Sequence, residues 1–288
     1  MSLSLVEVKD IYKKYKEFEL SDVSFNLEEG KIYGFVGENG SGKSTTMKAM
    51  VNLINIDKGE IDINGKINYK LTSLEKENIS FTLDDICLPD QLKIKALNKI
   101  FKYTFNNWDE KVFFDYLKKF NVDQNKKIKE LSKGMKAKFN LAISLSHKAN
   151  ILILDEPMNG LDPVARDEMC DLLQEFVLGG DNRTVLISSH IISDLEKICT
   201  DFIFIHQGKI LLRQDKKSLE NAFIKVELNE EDFNKLDKFK VVRYKKNLSS
   251  IDVLLKNDES NKDIHGEKAT AEDILIFLIR GKTIWKST

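Results

Sequence analysis

The sequence lacks an excess of charge of either sign, because its 45 Lys and Arg residues nearly balance its 46 Asp and Glu residues. No overall field therefore directs the chain towards nucleic acid or an anionic membrane, although 32% of its residues are charged. Metal-ligand spacing is also missing from its three cysteines, Cys87, Cys170 and Cys199. They indicate ordinary thiols of a reducing compartment.

Long apolar stretches are missing as well. The chain has no run of about 18 consecutive apolar residues, which is the length that predicts a membrane-spanning helix. The first ten residues, MSLSLVEVKD, contain acidic residues and no long apolar run, which is unlike a signal peptide. We therefore expect a soluble, cytoplasmic protein whose 42% apolar content suffices for a substantial core.

Apolar segments that resemble buried strands alternate with helical patterns. Residues 3–35 read as short strands, KIYGFV (31–36) is an apolar run typical of a buried strand, and further buried strands follow at 149–157 and 183–190. Residues 86–148 are expected to form a helical subdomain. Strands that alternate with helices predict an α/β fold with a parallel sheet. After residue 213 the sequence becomes polar and charged, and a different alternation of apolar residues follows. This change suggests two domains, 1–213 and a small α/β appendage at 214–288.

The segment LSKGMKAKF contains a helix start of unusual composition. Ser132 is a good N-cap, yet Gly134 in the first turn costs about 1 kcal/mol relative to alanine. Lys133, Lys136 and Lys138 crowd an end at which the helix dipole is already positive. Either the segment is a solvated face, or an anion docks there.

The strongest motif is GENGSGKS, which matches G-x-x-x-x-G-K-[ST] between a predicted strand and a predicted helix. Glycines allow backbone N–H groups to surround phosphate oxygens, and the helix directs its positive end at them. Lys43 would reach the β- and γ-phosphates of ATP, and the Ser44 hydroxyl would ligate Mg²⁺. The alternative is a glycine turn with a chance lysine. The predicted nucleotide-binding residues of this loop are Gly37, Glu38, Asn39, Gly40, Ser41, Gly42, Lys43, Ser44 and Thr45.

The segment ILILDE predicts a buried strand that ends in two carboxylates. Asp155 would emerge at the carboxyl edge of the sheet, where ligands collect in open α/β folds, and would ligate Mg²⁺. Glu156 could act as a base for a water that attacks the γ-phosphate. Taken alone, these residues could equally be solvated acids at the end of a strand.

GENGSGKST, LSKGM, ILILDEP, NGLD and ISSH follow one another in an order and at spacings that resemble the nucleotide-binding subunit of an ABC transporter. The resemblance covers about residues 3–213. It implies a P-loop NTPase fold of the ABC ATPase type, with an N-terminal antiparallel β subdomain and a helical subdomain. It also implies that two subunits close head to tail around ATP, so that Ser132 and Gly134 contact the partner's nucleotide. Lys133 and Met135 depart from the family's usual Gly and Gln.

The resemblance implies roles for further residues. Asp162 would be the D-loop aspartate that contacts the opposite subunit, and His190 would hold the γ-phosphate and the attacking water. Tyr15, or less favourably Tyr12, would stack on adenine. The alternatives are a solvated histidine at a strand end and tyrosines that only pack.

In the family, the segment that corresponds to LSKGM is called the signature. The glutamine that the family places between the phosphate loop and the signature is missing. Asp84 and Asp85 stand where it would fall. Asp84 could ligate Mg²⁺ as a carboxylate, or the pair could simply end a strand.

These features predict an ATP-hydrolysing subunit of an ABC transporter, resembling exporters whose ATPase and permease are separate chains. It would pair with an identical or paralogous ATPase and lie at the inner face of the cell membrane through a multi-span permease. No nucleic-acid partner is expected. Two alternatives are a soluble ABC ATPase that acts on nucleic acid or ribosomes, and a regulatory ATP-binding subunit without catalysis.

Overall fold

The computed structural model divides the chain into two compact units, residues 1–210 and 211–288. The sequence placed this boundary at residue 213. No described helix is long and apolar enough to cross a membrane. The structure describes residues 3–82, 88–189, 191–258, 261 and 264–282.

The first unit contains two sheets and seven α-helices among its described residues. In chain order, its strands are β1 (Ser4–Lys14), β2 (Glu19–Glu28), β3 (Lys31–Val36), β4 (Lys58–Ile63), β5 (Lys66–Ile67), β6 (Ile79–Thr82), β7 (Ile151–Leu154), β8 (Thr184–Ser189), β9 (Asp201–His206) and β10 (Lys209–Asp215), the last of which continues into the second unit. Its helices are α1 (Lys43–Met50), α2 (Ser73–Lys76), α3 (Ile94–Thr104), α4 (Glu110–Lys119), α5 (Lys133–Ser146), α6 (Pro163–Leu178) and α7 (Ile192–Ile198).

The N-terminal sheet is antiparallel, with the strand order β2-β1-β4-β5. Val8 of β1 lies opposite Phe25 of β2 on one side and Ile61 of β4 on the other. All three side chains are buried, because alternate positions of these strands face one core. The short strands that the sequence predicted in this region and the antiparallel β subdomain that the family resemblance implied are therefore both present.

The second sheet has the strand order β10-β9-β3-β8-β7-β6, and β3 pairs in parallel with both β8 and β9. The pairs β7–β8 and β6–β7 are parallel too. Each residue of β7 and of β8 is buried, which explains their unbroken apolar character. Because these strands run the same way, the residues that follow β3 and β7 lie at the same edge of the sheet as the end of β8.

The helices between β6 and β7 are held together by aromatic side chains. The Trp108 ring lies 5.0 Å from both Phe101 and Phe113, and its Nε1 donates to Asn98 Oδ1. His147 stacks on Phe105 at 4.5 Å, and burial lowers the pKa of its imidazole to about 4. This cluster fixes α3, α4 and α5 to one another.

The second unit is a small α/β fold with its own core. Its sheet has the strand order β12-β13-β11-β14 and antiparallel pairing. Val226 and Val253 face each other in a core that also contains Phe233. Its elements are α8 (Lys216–Ala222), β11 (Phe223–Leu228), α9 (Glu230–Lys235), β12 (Val241–Lys246), β13 (Ile251–Lys256), β14 (Glu267–Lys268) and α10 (Ala271–Arg280). The predicted α/β fold class, with its antiparallel, helical and C-terminal parts, is confirmed.

The turn between β9 and β10 supports the loop that follows β3. Gly208 has a φ of +74°, and its N–H donates to the carbonyl of Ser41 at 2.8 Å. Its own carbonyl accepts from the N–H of Ser21 at 2.9 Å. A Cβ at this position would collide with the carbonyl of Glu19. Only glycine therefore allows the turn between β9 and β10 to lie this close to the start of β2.

We expect Gly208→Ala to destabilise the first unit more than Gly65→Ala does. Gly65 has a φ of +80°, and an added Cβ would have open space around it. Alanine there should therefore lower the free energy of unfolding only by the backbone strain, about 1–2 kcal/mol. Alanine at position 208 adds a collision worth about 1–3 kcal/mol. Urea unfolding of both variants measures the difference, and equal losses would contradict this account of the turn.

Candidate nucleotide site

The loop from Gly37 to Gly42 passes close to the chain behind it. A Cβ on Gly37 would collide with the carbonyl of Ile205, and one on Gly42 would lie 2.7 Å from Leu20 Cδ2. Gly42 has a φ of +113°, which a side chain rarely permits, and α1 begins at the next residue. The predicted strand, glycine loop and helix are therefore all present in the structure. The exposed tip of the loop is Glu38, Asn39 and Gly40.

Lys43 lies under this loop and is only 6% exposed. Its Nζ donates to the carbonyls of Gly37 at 2.6 Å and Glu38 at 3.2 Å. Burial lowers the pKa of the ammonium, while the nearby carboxylates of Glu156 and Asp155 oppose that shift. The two carbonyls hold the ammonium in the concave side of the loop, where a phosphate would meet it.

Ser41 presents a polar atom that suits a ligand. Its Oγ is buried and has no hydrogen-bond partner among the described residues. Ser44 and Thr45, in the first turn of α1, are partly exposed. A buried hydroxyl without a partner costs free energy, so the site fits a group rich in oxygen acceptors, such as a nucleotide phosphate.

Asp155 and Glu156 follow β7 at the same edge of the sheet. Asp155 is 5% exposed, and its Oδ1 accepts a hydrogen bond from Ser188 Oγ at 2.7 Å. Glu156 Oε1 lies 4.0 Å from Lys43 Nζ, so the structure brings the two predicted catalytic side chains together. The Asp155 carboxylate and the Ser44 hydroxyl are oxygen donors of the kind that Mg²⁺ prefers, and so the residues fit this metal.

Glu156 adopts a left-handed backbone with a φ of +51°. Such a conformation costs a non-glycine residue about 1–2 kcal/mol. Its N–H donates to Ser188 Oγ at 2.9 Å, and its carbonyl accepts from the N–H of Asn159 at 3.1 Å. Sequence reasoning missed Ser188, although the hydroxyls of ISSH next to a buried acid were a usable signal.

Ser132 caps α5 as predicted, since its Oγ accepts from the N–H of Met135 at 3.2 Å. A Cβ on Gly134 would lie 3.1 Å from Leu161 Cδ2, so this glycine also permits close packing of the NGLD segment. The aliphatic part of Lys133 covers Gly160 in the same segment. The signature and NGLD segments therefore pack together within one chain.

Asp162 caps α6 through a hydrogen bond from the N–H of Ala165 at 3.0 Å. Backbone hydrogen bonds, led by that of Ala165, lower the pKa of its carboxyl. Its predicted contact with an opposite subunit remains a prediction.

Lys138 forms an ion pair with Glu168 at 2.9 Å, which neutralises part of the positive charge near the start of α5.

Tyr15 lies in the turn between β1 and β2, is 43% exposed and has Lys13 Nζ over its ring at 5.7 Å. Phe18 lies against the glycine loop, because its Cζ would be 3.0 Å from a Cβ on Gly42. No sequence signal separates these aromatic residues, since both belong to one short turn. Adenine stacking on Tyr15 remains a prediction.

The predicted roles of His190, Asp84 and Asp85 lie outside the described residues. Their assignments therefore remain predictions from the family resemblance.

Comparison with known proteins identifies the family. A family model described as ABC transporter matches residues 20–159. The lantibiotic transport ATP-binding protein SrtF of Streptococcus pyogenes is 34% identical over 222 residues, covering 75% of this chain and 93% of that protein. The bacitracin transport ATP-binding protein BcrA of Bacillus licheniformis is 31% identical over 215 residues, covering 72% of this chain and 69% of that protein.

A solved ATP-binding subunit of an ABC transporter superposes with a TM-score of 0.68 at 25% identity, covering 75% of this chain and 92% of that one. The chain belongs to the family of ABC transporter ATP-binding proteins. It is an ATP-binding subunit of the ATPase class, as the sequence predicted. The relatives support neither the nucleic-acid nor the regulatory alternative.

We expect Lys43→Ala to reduce ATP hydrolysis by at least about 100-fold, because it removes the buried cation at the phosphate loop. Lys48→Ala, on the same helix, is the matched control and should retain the normal rate. Release of inorganic phosphate measures both. An unchanged rate in Lys43→Ala would refute the assignment of the loop.

Proposed function

We propose that the chain is the ATP-hydrolysing subunit of an exporter, in which two ATPase subunits close on two ATP molecules and drive a separate permease. The main support for ATP hydrolysis is the distance of 4.0 Å between Lys43 Nζ and Glu156 Oε1. Asp155 lies at the same edge of the sheet. A phosphate-binding cation, a metal-binding carboxylate and a candidate base therefore share one site.

Different residues of the site are assigned to phosphate binding, metal binding and proton transfer. The loop N–H groups and Lys43 bind the β- and γ-phosphates, while Ser44 and Asp155 would hold Mg²⁺. When bound, the metal neutralises charge on those phosphates. Glu156 accepts a proton from the attacking water. From the family resemblance, His190 would orient the γ-phosphate and Asp84 would be a further metal ligand.

Dimerisation is proposed because the N-terminus of α5 is a second place at which a phosphate could bind. The helix has 14 residues, and its first turn contains no acidic residue. A helix N-terminus favours anions. Since the chain already has a phosphate loop for its own nucleotide, Ser132 and Gly134 are assigned to the ATP of another subunit, with Asp162 at the same interface.

Export is proposed from relatives named for lantibiotic and bacitracin transport. The force would pass to a multi-span permease at the inner face of the membrane. The docking surface proposed by family analogy is the segment 84–105. In its described part, α3 exposes Ile100 (46%) and Tyr103 (93%), which a partner could cover.

We expect Glu156→Gln to bind ATP but to hydrolyse it very slowly, because an amide cannot accept the proton. The variant should therefore accumulate as an ATP-bound dimer, measured by light scattering with and without ATP. Glu175→Gln, an exposed residue of α6, is the control and should behave as the original protein does. A Glu156→Gln protein that stays monomeric at saturating ATP would contradict the proposed dimer.

A composite site also predicts the dependence on concentration. The isolated subunit should hydrolyse ATP slowly, with a specific activity that rises with protein concentration as dimers form. A fast specific activity that is constant over a wide dilution range would contradict the contribution of a second subunit.

A further inference from the structure

Ser188 forms a bridge at the edge of the parallel sheet. Leu154 of β7 pairs with Ile187 of β8, so Ser188 stands beside the residue that follows β7. Its side chain is fully buried, donates to Asp155 Oδ1 at 2.7 Å and accepts from the N–H of Glu156 at 2.9 Å. One hydroxyl therefore contacts two consecutive residues of the site.

The direction of both hydrogen bonds is determined by chemistry. An ionised carboxylate only accepts and a backbone N–H only donates, so the single Ser188 proton points to Asp155 and a lone pair points to Glu156. The bond to Asp155 is charge-assisted and short, as such bonds are. It restrains the rotation of the carboxylate and thereby the direction of its second oxygen.

The second bond restrains a residue with a strained backbone. Glu156 has a φ of +51°, and such conformations persist only where the surroundings hold them. The peptide groups on either side of its Cα are both held, because the Glu156 N–H donates to Ser188 and the Glu156 carbonyl accepts from Asn159. The direction in which the Glu156 side chain leaves the backbone therefore depends on Ser188.

We infer that Ser188 is a positioning residue for ATP hydrolysis, which orients the Asp155 carboxylate and the Glu156 backbone at the same time. This inference rests on the proposed roles of those two residues. Ser188 is too deeply buried to contact the nucleotide itself, and its effect is therefore on the rate of the reaction rather than on the binding of ATP.

The competing account is that Ser188 merely satisfies polar groups inside the sheet. Under that account its removal lowers stability and has no particular effect on turnover. Thr184 provides the matched control, because it lies at the other end of β8, is fully buried and donates from Oγ1 to the carbonyl of Lys31 at 3.1 Å. Thr184→Val removes a buried hydroxyl from the same strand, away from the site.

The test measures kcat, KM for ATP and melting temperature in the full chain. Ser188→Ala is expected to reduce kcat by about 10- to 100-fold, the size of effect that a small misplacement of reacting groups produces. Its KM should change by less than about twofold, as for a change confined to the transition state. Thr184→Val should lower the melting temperature but retain kcat, and Ser188→Thr should restore most of the rate.

Glu156→Gln separates failure of this inference from failure of the proposed function. The part of the effect that passes through Glu156 should be lost in Glu156→Gln, so adding Ser188→Ala to that variant should slow the reaction by a smaller factor than it slows the original protein. If Glu156→Gln blocks turnover while Ser188→Ala keeps a normal kcat, only the inference is overturned. If Glu156→Gln hydrolyses ATP at the normal rate, the proposed role of Glu156 as the base is itself contradicted.

Two further outcomes bear on the inference. Equal losses of kcat in Ser188→Ala and Thr184→Val would overturn it, because the loss would then reflect general damage to the sheet. If Ser188→Ala does not fold, Ser188→Cys replaces it, since a thiol has a similar size but donates weakly. The same loss of kcat at unchanged KM is expected, and a normal kcat would overturn the inference.

Discussion

The parallel register of β3, β8 and β7 is the constraint on which the site depends. Lys31 pairs with Thr184, which in turn pairs with Ile151, so the three strands advance together to one edge. Their apolar side chains are buried on both faces, and this burial is what resists a slip of register. A slip of one residue in β7 would turn Asp155 to the opposite face and separate Ser188 from both of its partners.

The parts of the site that the sequence predicted are those encoded in short contiguous segments. The glycine loop with Lys43 and the pair Asp155–Glu156 are recognisable because strand, loop and helix follow one another directly. The contacts that were missed join segments distant in the chain. Ser188 and Asp155 are 33 residues apart, and their contact depends on which strands pair and in which register. Gly208 supports Ser41 for the same kind of reason, since its role arises only when β9 lies beside β3.

The signature segment shows how one residue can satisfy two constraints. From the sequence, Gly134 suggested close approach of an anion to the backbone. In the structure it also permits contact with Leu161, so packing alone accounts for part of the glycine requirement. The Lys138–Glu168 ion pair likewise reduces the positive charge available to a ligand. The features of α5 that still favour an anion are the positive end of its helix dipole and the absence of acidic residues from its first turn.

The contacts around Glu156 also connect the chain's own nucleotide site to the start of α5, the surface proposed to bind the ATP of a second subunit. The carbonyl of Glu156 accepts from Asn159, the next residue is Gly160, and Gly160 lies beneath the aliphatic part of Lys133 at the start of α5. The strained backbone of Glu156 thus lies at one end of the short segment 156–160, and the start of α5 lies at the other end. Lys133, Glu156 and Asn159 also line one cavity, so the two ends are joined by the chain itself and by the Asn159 hydrogen bond rather than by continuous close packing. The nucleotide site and the start of α5 are therefore linked within a single chain by residues 156–160 and the Lys133 side chain.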